Sequence, residues 1–219
     1  QAPGDASVGS RARDAWRELA SVLRARAGRL ALILAILPIG TGAAMFLFSA
    51  IGSEFHASAD VVSAVLGLGG GVAIVLGCFA GGRLADRVAK PTAYAVSCGL
   101  GLVACVVIAL SPRSSEGYAV STLFYIFTLG MVSASFTGLV LAIIGDTAAA
   151  TKINLFFALN TLFSLGMLRL VGRMHDALST NAMLYTEALI GVAALVLFVV
   201  LSRYVRGGEL RGAGEAVRS

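Results

Sequence analysis

Two charges, Arg169 and Glu187, stand inside otherwise apolar runs of this 219-residue chain. A lone charge in such surroundings costs several kcal/mol, and a partner of opposite sign offsets part of that cost. Arg169 lies shortly before Met174 and Glu187 shortly after Asn181. The short connection 174–181 therefore brings both to a similar depth, and an ion pair is expected. Ligand binding or proton transfer is the alternative use of the two groups, and snorkelling to the interface a third. Hydroxyls form a second group: Ser121, Tyr125, Thr128 and Ser135 fall on one broad stripe of a helix. Hydroxyls cost much less to bury than charges and can orient a ligand. They can equally bond back to carbonyls of their own helix or across to a neighbour. The third group is the loop GGRLADRVAKP at 81–91, with Gly82, Asp86, Arg87 and Lys90. Asp86 can accept from backbone N–H groups at a helix N-terminus, where the helix dipole favours an anion. Arg87 and Lys90 can hold carboxylates or lipid headgroups. The plainer reading is a basic turn that sets topology.

These groups need a scaffold, and the composition says which. Hydrophobic residues make up 58% of the chain and charged residues 13%, roughly half the ~25% charge of a soluble domain. Six stretches suffice to span a bilayer as helices, at 30–53, 61–82, 91–112, 117–145, 153–173 and 182–202. The expected fold is an all-α integral membrane bundle of six helices at 29–205, packed as antiparallel neighbours through short connections. A cytoplasmic arm at 1–28 and a tail at 206–219, unstructured beyond Arg206, flank it. The net charge of +5 raises nucleic acid as a partner. The basic residues lie between apolar runs rather than on one polar face, so a lipid bilayer is expected as partner and nucleic acid is not. With a cytoplasmic N-terminus, all of the 17 Lys and Arg except Arg113, Arg169 and Arg173 fall on the inner side. Glu54 and Asp60 make the first outer loop acidic. Trp16, Leu19, Ala20 and Leu23 recur at helical spacing among arginines in 11–29, as in an interfacial amphipathic helix.

The second span is dense in glycine from Gly67 to Gly82, which lets helices approach closely, either within the bundle or at a sliding surface. Pro38, Gly40 and Gly42 surround Thr41 in the first span and permit a break there. Asn160 and Ser164 suit packing, while Asp146 and Lys152 suit a wetted connection. Cys78, Cys98 and Cys105 have neither disulfide nor metal spacing and read as small packing residues. His56 and His175 fall in outer segments. No cofactor, metal site or catalytic residue is expected, and no P-loop is present.

The loop at 81–91 resembles the signature of the major facilitator superfamily, carried by Gly82, Asp86, Arg87 and Lys90 after a second hydrophobic span. Ala89 replaces the usual glycine, and Pro91 stands where a further basic residue is common, as in the weaker copy of a second half. The resemblance implies that Asp86, Arg87 and Lys90 form a conformational latch whose partner lies in another six-helix half. It also implies that the first and fourth spans line a substrate cavity, through Thr41, Ser121, Tyr125, Thr128 and Ser135. First halves of the family often carry Arg in the fourth span, and this one has none. With the Arg-rich arm and a chain that starts at Gln1, the expectation is a C-terminal half of a twelve-helix transporter. ATKINLFFALN at 150–160 and MHDALSTNAMLYTEA at 174–188 are similar to the muropeptide and acetyl-CoA permease branch. The implied function is secondary active transport of a small solute by alternating access, in a bacterial inner membrane with both termini cytoplasmic. The completing partner is the N-terminal half or a second copy. An intramembrane enzyme needs an activated Ser and a membrane-buried His, and neither histidine is so placed. A non-transporting scaffold or receptor keeps the same fold.

Overall fold

The computed structural model describes residues 42–144 and 149–216, and every element among them is helical. The expectations for the arm at 1–28, the amphipathic helix at 11–29, Pro38, Gly40, Thr41 and Asp146 lie outside the described residues. Six helices follow in order: α1 (Ala43–Phe55), α2 (Ala59–Arg87), α3 (Lys90–Leu110), α4 (Ser115–Ile144), α5 (Ala149–Ala177) and α6 (Thr180–Ala216). Four stretches are long and apolar enough to cross a membrane: Ala59–Arg87, Lys90–Leu110, Ser115–Ala142 and Thr180–Arg203. The expected fifth span falls on α5, where Asn154, Asn160, Arg169 and Arg173 dilute the apolar run. The described part of the first span is the shorter apolar helix α1.

Local chemistry sets the boundaries. The Ser58 hydroxyl accepts from the Val61 amide and caps α2. α2 ends at Arg87, where Val88 is extended, and Pro91 sits in the first turn of α3, where its missing N–H is not needed. α6 continues to Ala216 rather than ending near 202. Adding residues to an existing helix costs far less than starting one, so 206–216 prolongs α6 instead of forming the unstructured tail expected there.

α1 is not a uniform helix. Its first turns are 3-10, a short α segment follows at Phe48–Ile51, and Gly52–Phe55 is 3-10 again. The chain enters it through Gly42 at φ 66°, a left-handed conformation natural to glycine. α2 carries one π turn at Val65–Gly69.

The most extensive packing is α2 along α4, followed by α4 on α3 and α3 on α6, with α1 seated against α5 and α6. Glycine makes the α2–α4 approach close. A Cβ on Gly77 would run into the Phe127 carbonyl, one on Gly81 into the Met131 backbone, and one on Gly130 into the Ile74 carbonyl. The glycines of the second span thus serve packing within the bundle, while Gly67, Gly71 and Gly82 face open space. One core cluster gathers Phe48, Ile108, Tyr118, Tyr125, Met167 and Met183, and a second gathers Tyr94, Phe136, Phe156 and Phe198. Outward, Leu68, Phe79, Leu110, Val120 and Leu189 are all at least 70% exposed, an apolar surface suited to lipid rather than water.

Candidate functional site

The site forms where α1 begins. Ala43 and Ala44 are its first residues, so their N–H groups have no acceptor within the helix. The Glu187 carboxylate supplies one: Ala43 N donates to Oε1 and Ala44 N to Oε2, each at 3.1 Å. The Tyr125 hydroxyl also donates to Oε1, at 3.0 Å. Glu187 is 6% exposed, and Ala43, Ala44 and Tyr125 are buried with it. Three elements therefore converge: α6 brings the carboxylate, α4 the phenol and α1 the two amides. Phe48 packs edge-on against the Tyr125 ring at 5.0 Å, and Tyr118 donates to the Phe48 carbonyl at 2.9 Å. A cavity of about 20 Å³ adjoins the carboxylate, lined by Gly42, Gly101, Cys105, Tyr125 and Gly191 among others. That is room for one water molecule.

This arrangement corrects the expected ion pair. Arg169 is exposed on α5 and makes no bond to Glu187. Met167 and Val171 form the buried face of α5, and Arg169, two residues from each, points the other way. Glu187 shares its face with Met183, Leu184 and Ala188, which are buried. A similar distance from a shared connection does not bring two side chains to one side.

The hydroxyl stripe does turn inward: Ser121, Tyr125, Thr128 and Ser135 are all buried. Only Tyr125 reaches the site. Ser121 donates to the Gly117 carbonyl and Thr128 to the Tyr125 carbonyl, both on their own helix. Ser135 pairs with Ser97 of α3 at 2.9 Å. These three hydroxyls stitch α4 to itself and to α3 instead of facing an open cavity, because a buried hydroxyl takes the nearest carbonyl or hydroxyl. Ser164 likewise donates to the Asn160 carbonyl.

The loop residues lie at the tight turn between α2 and α3. Asp86 is in the last turn of α2, not at a helix N-terminus, and pairs with Lys90 at 3.7 Å. Only Val88 and Ala89 join α2 to α3, and the latch partner expected for Asp86 belongs to another six-helix half. The Lys90 stem passes Gly138 of α4, a Cβ on Gly82 would meet nothing within 4 Å, and Arg87 is exposed. The Asp86 side chain is 79% exposed, and exposed pairs contribute little. Asp86→Asn is expected to change unfolding stability in detergent by less than about 1 kcal/mol, as a thermal melt will show.

A polar cluster at the opposite ends of the helices has no counterpart among the sequence expectations. Arg113 donates to Asn181 and lies 4.3 Å over the Phe55 ring, while Thr180 donates to Glu54 at 2.6 Å and sits 3.3 Å from His175. It ties the end of α1, the α3–α4 turn and the end of α5 to the start of α6. The only advance sign was that Arg113 and Glu54 both fall in connections assigned to the same side. His56 is exposed, and His175 is drawn into this cluster. The free thiols Cys98 and Cys105 are buried and Cys78 is exposed. Among the described residues no His, Cys, Asp and Glu gather in a metal-binding group.

No protein-family model matches the chain, and no curated protein matches it.

Proposed function

We propose that the chain is one six-helix half of a secondary transporter of the major facilitator type, moving a small solute by alternating access. The observation that carries this reading is the Glu187 carboxylate on the irregular start of α1, beside Tyr125. Solute sites in such proteins form where a span is broken and its free backbone groups meet polar side chains. A carboxylate and phenol buried among apolar helices are costly to keep, and in a membrane bundle they default to a functional role. The π turn in α2 adds a second irregular span next to α4, and such turns often accompany function. In this reading the Asp86–Lys90 turn faces the cytoplasm together with both termini, in a bacterial inner membrane. The other jaw is an N-terminal six-helix half or a second copy. The muropeptide and acetyl-CoA permease branch supplies the first solutes to try.

The test is uptake by the full-length protein in liposomes, with a panel that includes sugar-peptides and coenzyme A thioesters. Accumulation of one solute class is expected. Tyr125→Phe should lower that uptake roughly tenfold, the equivalent of about 1.4 kcal/mol for one hydrogen bond to a charged group, with folded yield unchanged. Unaltered uptake would remove Tyr125 from the site. Failure to move any of the solutes would count for a scaffold.

A further inference from the structure

Building on the transporter reading, we infer that Glu187 carries the proton that drives solute movement. An ionised carboxylate offers about four lone-pair positions. Oε1 uses two, for Ala43 N–H and the Tyr125 hydroxyl, and Oε2 uses one, for Ala44 N–H. One position on Oε2 remains. A metal cation does not suit it, because such an ion needs several oxygen lone pairs and would here meet the positive ends of two N–H groups and one O–H. A proton needs only the single free position. The carboxyl also borders the one-water cavity, so a water molecule can deliver the proton. The step balances simply: a hydrated proton gives H⁺ to Oε2, an O–H bond forms, and the carrier leaves as neutral water.

The groups around Glu187 leave this step to it alone. α4 presents Tyr125, which is already a donor, and α3 presents the thiols Cys98 and Cys105 to the cavity. α1 presents only backbone amides, and α5 contributes Met167 and Val171 to the surrounding core while Arg169 faces outward. No ion pair neutralises Glu187 among the described residues. Glu187 sits seven residues into α6, about 10 Å from its start at 1.5 Å per residue. Once neutral, it holds Ala43 and Ala44 by ordinary rather than charge-assisted hydrogen bonds, which are roughly half as strong. Protonation therefore loosens the start of α1, the movement that alternating access requires.

Infrared difference spectra of the full-length protein in lipid, recorded while pH is lowered, test this without any solute. A carboxylic-acid C=O band is expected to grow in, to vanish in Glu187→Gln, and to move to higher frequency in Tyr125→Phe as its carbonyl loses a hydrogen bond. The tyrosine variant keeps the carboxyl, so it remains informative if Glu187→Gln fails to fold. A wild-type protein with no titrating band overturns the inference, as does a band unmoved by Tyr125→Phe. In liposomes, uptake that is indifferent to a proton gradient also overturns it, while leaving the transporter reading in place.

Discussion

Glu187→Ala is expected to be the most damaging single substitution in the bundle, costing on the order of 3–5 kcal/mol of stability. The substitution leaves three buried donors, Ala43 N–H, Ala44 N–H and the Tyr125 hydroxyl, with nothing to accept them. Each such group costs about 1–3 kcal/mol when unsatisfied. Water entering the enlarged cavity recovers part of this, which keeps the expected figure below the full sum. Glu187→Gln should lose less, since its carbonyl oxygen still accepts while its NH₂ confronts a donor. Arg169→Ala, at an exposed site with no bond to Glu187, should stay within about 0.5 kcal/mol of the parent. Denaturant unfolding in mixed micelles orders the three variants. A large loss at Arg169 would revive the ion pair and overturn the present assignment.

The second large effect is expected at the α2–α4 contact. Gly77→Ala and Gly130→Ala should each cost about 2 kcal/mol or more, above the middle of the range for overpacking a close contact. In both cases the added methyl meets backbone, Phe127 for one and Ile74 for the other, and backbone cannot rotate away as a side-chain tip can. Gly82→Ala is the control. A Cβ there meets nothing, so the change should be neutral or slightly stabilising through helix propensity. The result discriminates usefully, because Gly82 is the glycine that the loop signature singles out. Measured melting temperatures that rank Gly82 with Gly77 would mean that the α2–α4 contact is not the close one described.

Much of the scaffold was legible in the residues. Uncharged runs and short connections marked the helices, because a bilayer needs long apolar stretches. The inward turn of Ser121, Tyr125, Thr128 and Ser135 was readable from their spacing on α4. What those hydroxyls bond to was not, since Ser121 and Thr128 chose carbonyls on their own helix. Glu187 was recognisable as an exceptional residue, yet its partner was not. Its principal acceptor role is toward backbone amides, and a sequence does not display which amides lack an intrahelical acceptor. That depends on where α1 begins, and Gly42 in a left-handed conformation is the decisive detail. The cluster of Arg113, Asn181, Thr180 and Glu54 was not legible for a similar reason: its members come from two helix ends and one connection that only packing brings together.

Glu187 holds the first amides of α1, and amide hydrogen exchange in lipid nanodiscs reads those amides directly. In the parent protein Ala43 and Ala44 should exchange slowly, although they lie at a helix start. In Glu187→Ala both should exchange fast while Ala104 and Val140, in the packed interior of α3 and α4, keep their protection. Rapid exchange at Ala43 and Ala44 in the parent, or equal protection with and without the carboxylate, would contradict the assignment.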